Sequence, residues 1–184
     1  MHRLSLVPAV LAGTLALGCA DKETPTDPTG PTPTPAATSL KTTAGGQQEA
    51  TGSAFITLTE AGGASERITF NAVRHSNGSV SGQFELFTEQ LGGVRLHGIV
   101  TCLGIQGTVA HMGVLVTQAS QSGIFQNPAG ILAVKDNGEG AGALPDESTD
   151  LFLDAPPEVV DAFCAGEFEL PFHPSEQGNI QVHP

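Results

Sequence analysis

Asp136, Glu139, Asp146 and Glu147 crowd one glycine-rich stretch, Asp136-Asn137-Gly138-Glu139-Gly140-Ala141-Gly142-Ala143-Leu144-Pro145-Asp146-Glu147. Carboxylates on a flexible loop are hard oxygen ligands, and Ca²⁺ is the cation they suit. The spacing departs from an EF-hand loop, which needs acid or amide groups at its first, third and fifth positions. Gly138 and Gly140 stand at the last two. The competing reading, which those missing ligands favour, is a strand connection kept soluble by its acids. The four residues are therefore weak metal candidates, and no firm metal site and no cofactor are expected. Gly138-x-Gly140 also fails as a dinucleotide loop, because no helical segment follows it.

Nucleophilic chemistry finds little support. Gly78-Ser79-Val80-Ser81-Gly82 places its serines wrongly for a nucleophile elbow and lies on a hairpin. His75, His97, His111, His173 and His183 show no close spacing of the kind that holds zinc, and surface strand histidines are the expected reading. Phe55 and Phe87 are candidate exposed rings by parity. Trp and Tyr are absent, so the stacking platforms usual in sugar or single-strand binding are not expected. No catalytic residue is assigned and the chain is not expected to be an enzyme.

The N-terminus carries an address. After Met1, His2 and Arg3, the run Leu4 to Leu17 is nearly all apolar. It is shorter than the ~20 residues a bilayer-spanning helix needs and fits the central region of a secretory signal peptide. Leu15-Ala16-Leu17-Gly18-Cys19 resembles the bacterial lipobox, with Ala16 where Leu is commonest. That resemblance implies cleavage before Cys19, a diacylglycerol on its thiol and an acylated new amine. Several acyl chains hold a protein firmly where one holds it marginally. Ala20, not an acid, stands at the second mature position. By the same resemblance this implies the outer membrane, if the cell is Gram-negative. Residues 1–18 are thus read as signal and 19–48 as a lipid-anchored, disordered tether. Asp27-Pro28-Thr29-Gly30-Pro31-Thr32-Pro33-Thr34-Pro35 forms neither helix nor interior strand, because proline lacks a donor and fixes φ.

If Cys19 carries lipid, Cys102 and Cys164 remain as an even pair outside the cytosol. A Cys102–Cys164 disulfide is the expected outcome in an oxidising compartment, with a buried pair of free thiols as the alternative. The net charge of −12 is unevenly placed: beyond Lys135 there is no Lys or Arg, only acids. Phosphate backbones are repelled, so nucleic acid is not an expected partner. The expected partners are the membrane, through the lipid, and a protein or small apolar ligand.

Residues 49–184 read as one all-β domain, an antiparallel meander of about eight to nine strands in a barrel or two-sheet sandwich. Turn signals recur along it without a long helical period. Expected strands are Thr51–Thr59, Arg67–His75, Ser79–Glu89, Val94–Gly104, Thr108–Gln118, Gly130–Asp136, Asp150–Asp154, Glu167–Phe172 and Asn179–His183. A helical turn near 157–163 starts at Pro157. Alternation selects a three-residue loop at Ser76-Asn77-Gly78, pairing Phe70 with Phe84 and Ile68 with Leu86. The same test at Ile105-Gln106-Gly107 pairs Gly104 with Thr108, Cys102 with Ala110 and Val100 with Met112, and turns His97, Thr101 and His111 outward. Ile180 and Val182 are expected to pair with Ala54, Ile56 and Leu58, joining last strand to first.

Phe70-Asn71-Ala72-Val73-Arg74-His75, Asp136-Asn137-Gly138-Glu139-Gly140 and the ending Gly178-Asn179-Ile180-Gln181-Val182-His183 are similar to a group of uncharacterised exported bacterial β-domains. The chain resembles the post-COAP-1-like domains over residues 50–184. The resemblance implies an all-β exported module and no catalytic residues. The function expected is a lipid-anchored, non-catalytic structural, interaction or small-ligand-binding module at the cell envelope. A Ca²⁺-supported adhesion module and a carboxylate/His-based hydrolase are the alternatives.

Overall fold

The structure, a computed structural model, describes residues 46–184. Ten strands form one curled, half-barrel antiparallel sheet: β1 (Gln48–Leu58), β2 (Ala64–Arg74), β3 (Val80–Thr88), β4 (Val94–Gln106), β5 (Val109–Ala119), β6 (Ala129–Lys135), β7 (Glu147–Ser148), β8 (Phe152–Leu153), β9 (His173–Pro174) and β10 (Gln177–His183). The spatial order is β10-β1-β2-β3-β4-β5-β6-β7-β9, with β8 also on β6. The meander is the expected one. It follows from alternating side chains and short turns, which leave each new strand beside the last.

The first hairpin shows the alternation at work. Phe70 pairs with Phe84, Ile68 with Leu86 and Ala72 with Gly82. His75 N–H donates to Ser79 at 2.8 Å across the three-residue loop, and Gly78 takes φ 84°. Asn77 Oδ1 accepts from the Ser79 backbone at 3.0 Å and from its hydroxyl at 2.7 Å, so Asn77 caps the loop.

The second hairpin corrects the expectation. Gln106 pairs with Val109 across a two-residue Gly107-Thr108 turn, and Cys102 sits opposite Gly113, not Ala110. Val100 faces Val114, not Met112. Two bulges cause the change: Thr101 is an extra residue on β4 and Thr117 on β5. A bulge reverses which residues face inward beyond it. Val100 therefore hands the interior row to Leu103 and Ile105, and Cys102 turns to the opposite side.

That opposite side is covered. Helix α1 (Pro157–Cys164) starts at Pro157 as expected and lies over β4, β5 and β6. Val160 and Phe163 pack there with Ile131, Ala133 and Ala155, joined by Phe168, Leu170 and Phe172. Cys102 and Cys164 form the disulfide, with Cα atoms 6.2 Å apart. Strand β6 is accordingly buried on both faces. The segment 167–172, expected as a strand, is irregular. Pro171 offers no ladder donor, and the apolar residues beside it close the second core.

The last strand meets the first, shifted from the expected register. Ile180 pairs with Gly52 and Val182 with Ala50. The lumen holds one packed core in which Ile68, Phe70, Phe84 and Leu86 are all at most 3% exposed.

Candidate functional site

The four acids of the Asp136–Glu147 stretch each accept hydrogen bonds, and together they form a clasp on β10. Asp146 Oδ2 accepts the Ile180 N–H at 2.7 Å and its Oδ1 accepts the Asn137 N–H at 2.9 Å. Asp136 Oδ2 accepts the Val182 N–H at 3.1 Å while its Oδ1 accepts from Gly138 at 2.8 Å. Glu139 Oε1 takes the Gln181 and Asn179 side-chain amides, both at 3.1 Å, and these hold its carboxyl below the usual range. Glu147 Oε2 pairs with Lys135 at 2.6 Å, which lowers its pKa, and also accepts from Asn137. No group of three or more His, Cys, Asp or Glu residues among those described has the geometry to hold a metal ion.

The clasp has a physical purpose. Strand β10 has β1 on one side only. The outward amides of Ile180 and Val182 would otherwise be an open template for another strand. Two aspartates in place of a neighbouring strand satisfy them with charge-assisted bonds. Asp146→Ala leaves the amide of fully buried Ile180 unpartnered. Urea unfolding is expected to show a loss of about 2–3 kcal/mol. Asp146→Asn, which keeps a carbonyl acceptor, is expected to lose less.

The remaining expected residues are scattered. Cys19 lies outside the described residues. His75 reaches Ser81 at 2.9 Å, His97 lies 3.9 Å from Glu85, and His183 is exposed on β10. His111 does point away from the lumen, as expected, yet it is buried rather than wet, because α1 covers that face. Its ring meets Phe163 edge-on at 5.0 Å between centroids. Neither ring nitrogen has a hydrogen-bond partner of good geometry, and burial pushes its pKa down.

A second group was missed in the sequence. Glu66 on β2 faces the lumen, 1% exposed, with Oε1 unpartnered. Asp150 lies within hydrogen-bonding reach of it. Burial, then the charge of Asp150, pushes the Glu66 carboxyl up to about 9, and burial raises Asp150 as well. Two carboxylates in contact away from water cannot both ionise, so Glu66 keeps its proton and donates it toward Asp150. Beyond Asp150, His173 pairs with exposed Glu60 at 3.1 Å. The signal for Glu66 was available: it shares the parity of Ile68 and Phe70, one step before the expected start of that strand at Arg67.

The outer face of β1–β5 is the open surface. Cross-strand register sets its side chains in rows. One row runs Phe55, Arg67, Phe87, Arg95 across four strands. The Arg67 guanidinium lies 5.9 Å from the Phe55 ring centroid and that of Arg95 lies 5.2 Å from Phe87. The two rings are half-buried, not exposed as expected, because the guanidinium groups cover them. The next row runs Ser53, Thr69, Glu85, His97, Gln118, and the third Thr51, Asn71, Gln83, Ile99, Leu115. Between the last two rows lies an open trough of about 540 Å³. Its floor is Gly98, opposite Phe84, where any side chain would strike the Leu115 carbonyl. The Thr117 bulge borders it, and bulges commonly re-aim side chains beside functional surfaces.

These features define a disulfide-stapled, all-β half-barrel with a filled lumen and a polar trough on its outer wall. The chain matches no known family model, no curated protein and no solved structure.

Proposed function

We propose that the chain is an exported, lipid-anchored recognition module of the bacterial cell envelope, working without chemistry and binding through the outer face of β1–β5. The anchor rests on the lipobox-like residues around Cys19 and on the proline–threonine tether behind it. The disulfide fits an oxidising compartment. The observation that carries the binding reading is the packing of Ile68, Phe70, Phe84 and Leu86, which leaves the trough outside the wall as the concave surface on offer. A lipocalin-like pocket for a small apolar ligand loses its support with the lumen filled. The adhesion reading with Ca²⁺ loses its ligands to the β10 clasp, and a hydrolase reading has its carboxyl pair buried inside the wall rather than lining a cleft.

Methyl NMR during titration with a fatty acid tests this directly. The Ile68 and Leu86 methyl signals are expected to stay fixed. Saturable shifts of those core methyls would restore an enclosed apolar site and overturn the outer-face reading.

A further inference from the structure

We infer that the trough on the outer face of β2–β5 binds an acidic polysaccharide, its uronate-type carboxylates taken by Arg95 and Arg67 and its hydroxyls by the amide and hydroxyl side chains of the trough. This deepens the recognition reading and rests on it. Charge placement is the first argument. The three outer rows carry Arg67, Arg95 and His97 against a single acid, Glu85. From Asp136 onward the chain has acids and no Lys or Arg. A strip of positive charge on an otherwise acidic molecule attracts an anion to one place and orients it.

The second argument is preorganisation. Each guanidinium rests on a phenylalanine ring from a neighbouring strand, which holds it in place before any ligand arrives. The Arg95 side chain still has 63% of its surface exposed, and its contact with Glu85 is long at 4.0 Å. The planar fork of Arg matches a carboxylate with two parallel bonds, and a side chain already fixed loses less entropy on binding.

The third argument selects a glycan over an acidic peptide. Sugar hydroxyls both donate and accept, as do the side chains of Thr69, Asn71, Gln83 and Gln118 that line the trough. Asn71 Oδ1 already accepts the Gln83 N–H at 2.8 Å, which fixes its amide and leaves its NH₂ to donate outward. Peptide recognition draws on a free sheet edge or an apolar groove. Strands β2 to β5 are all internal to the sheet, and Ile99, at 44% exposed, is the one large aliphatic side chain in the trough that stands well clear of the wall. Aromatic and methionine anchors of a protein interface are missing there.

Titration of the domain with oligogalacturonate, with a neutral glucan oligomer and with polyglutamate, followed by amide NMR, tests the inference. Oligogalacturonate is expected to shift Thr69, Asn71, Gln83 and Gln118 saturably. Its affinity is expected to fall roughly tenfold between about 50 and about 300 mM salt. Arg67→Gln with Arg95→Gln is expected to weaken binding at least about tenfold, with an amide spectrum otherwise like the parent's. No outer-face shift with oligogalacturonate overturns the inference, as does equal binding of the neutral glucan. Polyglutamate binding at the same residues with equal affinity also overturns it, yet leaves the outer face as the recognition surface. The fatty-acid titration fails or succeeds independently of all three arms.

Discussion

Between about pH 7 and about pH 9 the folded domain is expected to lose stability as the solution becomes more alkaline, by several kcal/mol in all. The cause is Glu66. Its folded-state pKa is raised from 4.5 to about 9, chiefly by burial and next by Asp150. A carboxyl raised on folding contributes stability that is fully present below its ordinary value and disappears as pH climbs toward the folded value. Glu66→Gln keeps a neutral donor facing Asp150 and cannot ionise. Its urea midpoint is expected to stay nearly flat over the same range and to exceed that of the parent at about pH 9. An alkaline slope that persists unchanged in Glu66→Gln would contradict the shared-proton pair. His111 contributes with the opposite sign. Its pKa is lowered by burial, so its share of stability is present above the ordinary imidazole range and is lost as pH falls. It leaves the alkaline window to Glu66.

Removing the Cys102–Cys164 disulfide is the second large effect. The bond spans 62 residues of chain. In the chain-entropy account, opening a loop of that length costs about 4 kcal/mol. A Cys102→Ala, Cys164→Ala double variant is expected to show that loss in urea unfolding, and the parent under reductant is expected to match it. The bond also fixes the end of α1 against β4. Without it the helix holds only through Val160, Phe163 and the apolar residues beyond them. Amide exchange in α1 and at His111 is therefore expected to rise more than exchange in the β2–β3 hairpin. A double variant as stable as the parent would mean that apolar packing alone holds the helix.

Residue parity carried the sequence reading furthest where the sheet is regular. The β2–β3 register, its three-residue loop, the Pro157 helix start and the cysteine pairing were all legible, because each depends on neighbours close in sequence or on elimination. Cys102 shows where parity stops. Nothing local in Val100-Thr101-Cys102 announces a bulge, yet one extra residue moves the cysteine from one face to the other. His111 shows a different gap: alternation gives the side a residue points to, and not what later covers it. The partners of the acidic loop lie about forty residues away on β10. From sequence alone, four acids and a row of glycines read as a weak Ca²⁺ loop rather than as acceptors for an unpaired strand edge. Arg67 and Arg95 became a strip only once register placed each over a phenylalanine.

The anchored, exported module is tested most directly by the intact mass of the protein recovered from the membranes of the cell that makes it. The expected mass is that of a chain starting at Cys19, bearing a diacylglycerol and one further acyl group, and short of the two hydrogens of the disulfide. A mass that begins at Met1, with no lipid and both Cys102 and Cys164 reduced, would contradict it.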